Sequence, residues 1–333
     1  MNVPTIVATG HAYPSLRVDN AEYLRRCEYE VRYDPEAVAR ESGISARLWC
    51  APGETTLTLA RTAVKRALAK DPALAAEIGA VIVASGTTMP VLHPADPERP
   101  GVADLAPLLA GDLGDGERLA FDVKACYCTG FLRGLQLASA LLGDGSDRRA
   151  ALVVATEQGS RLATAASNRS SFCFLMSDAA GAAVVALRPP EARSGIVTQI
   201  GWSEGDKADW ITVADDGRSM RVAGERAAKV TVERLVTVAR RVLARARLGP
   251  GDVNWLLPVQ THGGVIAAIA GALEWPRERL LYSGGETGFS GSASIPACLS
   301  AEIERGRVRA GDLVLSIAVG AGLSVAGALF YVG

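Results

Sequence analysis

Apolar residues along this chain follow two rhythms. Short, nearly continuous runs rich in β-branched residues and alanine occupy 5–10, 80–85, 151–156, 182–187, 256–259, 313–319 and 324–332. Between them, apolar positions recur at helical spacing over 55–69, 131–142, 227–246, 264–273 and 292–305. Runs without strict alternation suit strands covered on both faces, and their alternation with helices predicts an α/β layered fold. The Pro189-Pro190-Glu191-Ala192-Arg193-Ser194-Gly195 stretch is the clearest break, dividing the chain into 1–190 and 195–333. Each part ends in a Gly/Ala-rich strand: Asp178-Ala179-Ala180-Gly181-Ala182-Ala183 first, then Gly320-Ala321-Gly322-Leu323-Ser324. Two halves of similar plan imply an internally duplicated fold.

The segment richest in chemistry is Phe121-Asp122-Val123-Lys124-Ala125-Cys126-Tyr127-Cys128-Thr129-Gly130-Phe131. A strand-like entry runs into a turn that carries two thiols, and a helical pattern starts directly after them. A thiol at a helix N-terminus faces unpaired N–H groups and the positive end of the helix dipole. That setting favours the thiolate, the form that attacks acyl groups. Covalent acyl chemistry is the expectation; the plainer alternative is that the thiols are small groups packing the turn. A redox pair is disfavoured, because Cys-x-Cys is too close for relaxed disulfide geometry.

Composition narrows the class. A chain of 333 residues, 49% hydrophobic and 21% charged, is globular and long enough for two domains or one large α/β unit. A net charge of −1 gives no electrostatic case for nucleic acid or an anionic membrane as partner. Six scattered cysteines (Cys27, Cys50, Cys126, Cys128, Cys173 and Cys298) are unlike a secreted disulfide scaffold. Met1-Asn2-Val3-Pro4-Thr5 has neither a basic n-region nor a long apolar h-region, and no run approaches about 20 apolar residues. A cytoplasmic protein is expected. No Cys-x-x-Cys or His-x-x-x-His set and no Gly-x-Gly-x-x-Gly after the first strand is present, so neither a metal nor a dinucleotide is indicated.

Several dispersed motifs stand in a fixed order. They are Ala8-Thr9-Gly10-His11-Ala12-Tyr13-Pro14 with Asn20-Ala21-Glu22-Tyr23-Leu24, then Gly43-Ile44 with Arg47, then Cys128-Thr129-Gly130-Phe131. Ser177-Asp178-Ala179-Ala180-Gly181-Ala182-Ala183, Trp255-Leu256-Leu257-Pro258, Ser292-Ala293-Ser294-Ile295-Pro296 and Gly311-Asp312-Leu313-Val314-Leu315 follow. Together they resemble the thiolase superfamily, specifically its ketoacyl-ACP synthase III branch, nearly end to end. The resemblance implies a duplicated αβαβα fold and an acyl-enzyme formed on cysteine. It implies an acyl carrier protein or CoA thioester as partner and substrate, with no tightly bound cofactor. It also implies a dimer through the central sheets, either of this chain or with a related subunit.

The departures from that family shape the functional reading. Its His-Gln-Ala-Asn motif aligns with Val259-Gln260-Thr261-His262, so Val259 takes the histidine position and a histidine follows three residues later. Its catalytic Asn falls on Phe289 in Thr287-Gly288-Phe289-Ser290-Gly291-Ser292. In the family this His/Asn pair stabilises the enolate oxygen formed when malonyl-ACP loses carbon dioxide. An apolar ring cannot donate that hydrogen bond, and such donors are worth roughly 3–4 kcal/mol. Decarboxylative condensation of the standard kind is therefore not expected.

The family register favours Cys128 as nucleophile, since it fits the following Gly-Phe and the helix, although Asp122 to Cys128 is one residue longer than the family spacing. Cys126 is the alternative, fitting the Ala-Cys-Tyr-Gly-Gly turn of hydroxymethylglutaryl-CoA synthase. The N–H groups of Cys128 and Ala321 correspond to the family's oxyanion hole. Of three histidines, His262 is the first candidate base, with Gly263 and Gly264 free to bring its loop toward the thiol; its alternative is a helix cap. His93, between prolines, is the reserve, and His11 is read as structural. Glu286 is either an orienting group or an exposed carboxylate. The family's CoA-holding Trp and Arg correspond to Ala37 and Glu41, and its basic docking residue to Gly264, which weakens the case for acetyl-CoA priming. Arg40, Arg47 and Arg161 remain as cations for a carrier phosphopantetheine.

The expected activity is acyl transfer from an ACP or CoA thioester, through a cysteine acyl-enzyme, to an alcohol, amine or activated carbon in polyketide- or fatty-acid-like secondary metabolism. The alternatives are an atypical 3-oxoacyl-ACP synthase and a catalytically silent partner subunit. Acyl loading separates the silent partner from the other two, and carbon dioxide release separates condensation from acyl transfer.

Overall fold

The continuous apolar runs become the strands of two sheets. The computed structural model describes residues 2–28, 30–87, 104–124, 127–145, 147–163, 170–213 and 220–333; Cys126 and His93 lie outside them. The first part of the chain holds β1 (Val3–Ala12), β2 (Leu16–Asp19), β3 (Ala46–Trp49), β4 (Ile78–Ala84), β5 (Leu119–Val123), β6 (Ala150–Gln158) and β7 (Asp178–Arg188). The second holds β8 (Ile196–Ser203), β9 (Ile211–Val213), β10 (Met220–Val222), β11 (Trp255–Pro258), β12 (Leu313–Gly320) and β13 (Ser324–Tyr331).

The larger sheet has the order β1-β7-β6-β4-β5, and the second has β11-β12-β13-β8. β7 is antiparallel to β1 and β6, while β4 runs parallel to β6 and β5. The second sheet repeats this plan: β13 is antiparallel to β8 and β12, and β11 is parallel to β12. Leu280 makes a parallel bridge to Leu256 where β5 would lie in the first sheet. One strand order used twice is the expected duplication.

The helices are α1 (Asn20–Arg26), α2 (Pro35–Ser42), α3 (Thr56–Leu68), α4 (Leu74–Glu77), α5 (Ala106–Asp112) and α6 (Gly130–Leu142), followed by α7 (Ser160–Ala163), α8 (Gly224–Ala246), α9 (Gly263–Ala272), α10 (Gly284–Thr287) and α11 (Ser294–Glu304). α6 packs on β4 and β6 of one sheet and on β12 and β13 of the other, and α11 packs on β1, β7 and β11, so these two helices form the middle layer. α3 covers the outer face of the first sheet and α8 that of the second. The result is five layers, αβαβα. α8 earns its place by spacing: Leu235, Val238, Ala239 and Val242 fall on one face and are all fully buried. α11 crosses β7 at Gly181, where an added Cβ would stand 2.6 Å from the Ala297 nitrogen. Among the described residues, no helix is long and apolar enough to cross a membrane.

Arg47, on β3, is fully buried and so cannot reach a carrier phosphate, which corrects the sequence expectation. Its guanidinium lies 4.7 Å from the Tyr23 ring centre and 4.3 Å from that of Phe174. Nε and Nη2 donate to the Phe174 carbonyl and Nη1 to that of Asp19. Burial lowers its pKa to about 10, yet the cation persists at neutral pH because two ring faces and two carbonyls replace its water. Lysine lacks the planar fork, so Arg47→Lys is expected to cost about 2–3 kcal/mol. The check is a lower urea midpoint at unchanged slope.

Candidate active site

β4, β5 and β6 run parallel and end close together, which gathers the loops after them at one end of the sheet. The chain leaves β5 and enters a single 3-10 turn, Tyr127–Thr129, before α6. Tyr127 adopts a left-handed backbone (φ 57°), a conformation that costs a bulky side chain free energy and must be held by its surroundings. What holds it is the loop after β4. A Cβ added to Gly86 would stand 2.2 Å from Tyr127 Cδ1, so the ring rests on bare backbone there. Gly86→Ala is therefore expected to push Tyr127 out, costing about 1–3 kcal/mol of stability. The displaced turn should also slow alkylation of Cys128 at least tenfold, read by mass spectrometry.

Cys128 sits in this turn, half-buried, just ahead of the first residues of α6. The N-cap residue Thr129 makes no capping bond; its hydroxyl turns instead to Ser324 Oγ at 3.2 Å. The opening residues of α6, Gly130, Phe131 and Leu132, are buried, and the N–H groups of a helix's first turn have no partner within the helix. Ala321 follows β12 in the turn Ala321–Leu323, where Gly322 takes a φ of 110° that a side chain would resist. Cys128, Tyr127, Ala321 and Phe289 line one cavity of about 30 Å³, room for one or two waters.

Phe289 lines the Cys128 cavity. It is 3% exposed, its N–H donates to the Leu175 carbonyl, and its ring meets the Phe172 ring edge-on at 5.4 Å. An apolar ring, and no amide donor, thus faces Cys128 from that side. Val259 lies in the core, 2% exposed, with its N–H bonded to the Ile317 carbonyl.

His262 does not line the Cys128 cavity. It caps α9, its Nδ1 accepting the Gly264 N–H at 3.1 Å. Gly263 and Gly264 are the opening residues of that helix, so they are not a loop free to swing the imidazole forward. The capping bond assigns the neutral tautomer with the proton on Nε2, which makes the ring a donor on its open side. Burial lowers its pKa, against a smaller opposite pull from Glu41. The ring lines a second cavity of about 570 Å³, with Val38, Glu41, Lys229 and Val265, which meets the first at Phe172 and Ile211. Glu41 and Gly264 thus line the larger cavity, while Ala37 is half-buried on α2.

The remaining candidates fall elsewhere. His11 is buried on β1 with Nδ1 3.0 Å from Ser300 Oγ. Glu286 is exposed on α10, and Arg40 and Arg161 are exposed. Among the residues that line the Cys128 cavity but are absent from the sequence reading, Thr87 and Glu157 carry polar side chains. Glu157 is 1% exposed at the end of β6. A signal for it existed: a lone carboxylate continuing a strand whose every residue from Ala150 to Thr156 is buried.

Two sequence models of known families match this chain, those of the 3-oxoacyl-[acyl-carrier-protein] synthase III region at residues 121–201 and of its C-terminal region at 243–332. A β-ketoacyl-[acyl-carrier-protein] synthase III of Rhodobacter capsulatus is 33% identical, with 97% of this chain and 98% of the relative covered. The 3-oxoacyl-[acyl-carrier-protein] synthase III of Aquifex aeolicus superimposes with a TM-score of 0.86 at 28% identity, covering 98% of this chain and 99% of that one. The priming β-ketosynthase of the R1128 polyketide pathway superimposes with a TM-score of 0.84 at 26% identity, covering 99% and 96%. These relatives are named as β-ketoacyl or 3-oxoacyl synthases, and the duplicated sheets share the fold of the solved ones. With identity of this level along almost the whole chain, the protein belongs to the 3-oxoacyl-[acyl-carrier-protein] synthase III family.

Proposed function

We propose that this family member is an acyltransferase that does not carry out the family's decarboxylative condensation. Cys128 attacks the carbonyl of an acyl-CoA or acyl-carrier thioester arriving through the larger cavity. The N–H groups of Cys128 and Ala321 stabilise the tetrahedral oxyanion, and the carrier thiol leaves. A second nucleophile, an alcohol, amine or activated carbon of a small acceptor, then takes the acyl group from sulfur. His262, with Nε2–H turned to the larger cavity, assists the incoming acceptor or thioester rather than the thiol. The reading includes a dimer formed along β5, the edge strand of the first sheet, where Leu119 is 42% exposed. A place in polyketide- or fatty-acid-like secondary metabolism suits an enzyme altered in this way.

The observation that carries the proposal is Phe289 beside Cys128 and Ala321 in one cavity. The acyl-accepting half of the machinery has its groups, while the side facing a malonyl enolate offers a hydrocarbon ring. The test supplies acyl-loaded protein with malonyl thioester and follows carbon dioxide. Release at the buffer rate, with the acyl group still transferable to an amine or alcohol, is expected. Stoichiometric carbon dioxide with a 3-oxoacyl product would establish an atypical condensing enzyme instead.

A further inference from the structure

Inside the Cys128 cavity the thiol needs somewhere to send its proton, and the His262 imidazole stands in the neighbouring cavity with Nδ1 already engaged. We propose that the proton passes through the Thr87 hydroxyl to the buried carboxylate of Glu157. This inference rests on the reading of Cys128 as the acyl-accepting thiol and gives that reading its missing acid–base group.

Geometry argues for it first. Glu157, Thr87 and Cys128 line the same cavity. Thr87 Oγ1 donates to Glu157 Oε2 at 2.6 Å and accepts the Gln158 N–H at 2.8 Å. A hydroxyl oxygen has two lone pairs, so one stays open to a proton arriving from the cavity side. The cavity itself has space for one or two waters.

The carboxylate is also held so that it can alternate between charge states. Oε1 accepts from Gly86 N–H at 3.0 Å and Ser292 Oγ at 2.6 Å. Oε2 accepts from Thr87 N–H at 3.0 Å and Ser85 Oγ at 3.3 Å besides the Thr87 hydroxyl. Backbone donors favour the anion, while complete burial favours the acid and holds the group above the usual carboxylate range. A carboxylate made more basic in this way is suited to accept a proton from a thiol. The Ser292 hydroxyl also lies 3.3 Å from the Ala84 carbonyl, to which it can turn when Glu157 carries a proton. Of the titratable side chains, Tyr127, on the turn that carries Cys128, interacts electrostatically with the carboxylate and separately with Cys128.

The step balances. As the Cys128 Sγ–C bond forms, the S–H proton moves to Thr87 Oγ1 and the Thr87 proton to Glu157 Oε2. When the tetrahedral intermediate collapses, the C–S bond to the carrier breaks, and the same path returns one proton to the leaving thiolate.

The test alkylates the full-length protein with iodoacetamide and reads Cys128 by fragment mass spectrometry, so it needs no acyl donor. Thr87→Val is expected to slow labelling about tenfold at about pH 7 and leave it unchanged at about pH 10, where hydroxide removes the proton. Thr87→Ser should restore the wild-type profile. Glu157→Gln should match Thr87→Val wherever its circular dichroism remains native. Equal slowing at both pH values, no slowing, or a Ser variant no better than Val would each overturn the relay. If Cys128 never becomes acylated while the labelling profile shifts as stated, the proposed function fails and the relay stands.

Discussion

Replacing Cys128 by alanine is expected to lower acyl transfer by at least a thousandfold while leaving the fold intact. The size follows from the chemistry. Without sulfur there is no covalent intermediate, and what remains is binding plus two backbone donors. The side chain is half-buried at the start of α6, and losing one sulfur atom there should shift stability by less than about 1–2 kcal/mol. Cys128→Ser separates nucleophile from packing, since the alcohol fills nearly the same space yet ionises far less readily. Acyl-transfer rate and melting temperature on the same samples check both halves. A Cys128→Ala protein of normal activity would move the nucleophile to Cys126 or remove covalent catalysis from the account.

The second large effect concerns Phe289. Phe289→Asn deletes a 3%-exposed ring and its edge-on contact with Phe172, which should cost about 3–5 kcal/mol. It also puts an amide donor into the cavity beside Cys128. Carbon dioxide release from malonyl thioester should then rise on the order of tenfold above background, short of the 10²–10³ that one well-placed donor can supply. The shortfall has a cause, because Val259 lies in the core where the partner histidine would stand. A wild-type protein that already releases carbon dioxide at the rate of acyl transfer would show that the ring does not exclude condensation.

The layers of this fold are legible in the sequence because buried strands and one-sided helices impose their own spacing. The runs at 151–156 and 313–319 lie within the buried central strands β6 and β12, and the helical pattern at 227–246 within α8. β8 escaped that reading for a physical reason. Its apolar residues Ile196, Ile200 and Trp202 alternate with more exposed ones, so a search for continuous apolar runs passes over it. The turn that carries Cys128 was legible because Cys128 precedes an apolar periodic segment, which forms α6. The rest of the site was not. Whether His262 faces the thiol depends on where α9 starts, and a one-residue difference in that start turns a mobile loop into a capping bond. Arg47 looks like a surface cation in sequence, because nothing local announces that Tyr23 and Phe174 will close over it. Glu157 meets Thr87 and Ser292 only through the folded sheet, across separations of 70 and 135 residues.

The most direct single measurement is the intact mass of the protein after incubation with a panel of acyl-CoA and acyl-carrier thioesters, with the modified residue located by fragmentation. The account predicts an added acyl group on Cys128, lost in Cys128→Ala and kept in Cys126→Ala. An adduct that disappears only with Cys126→Ala, or a protein that stays unmodified with every donor, would contradict it.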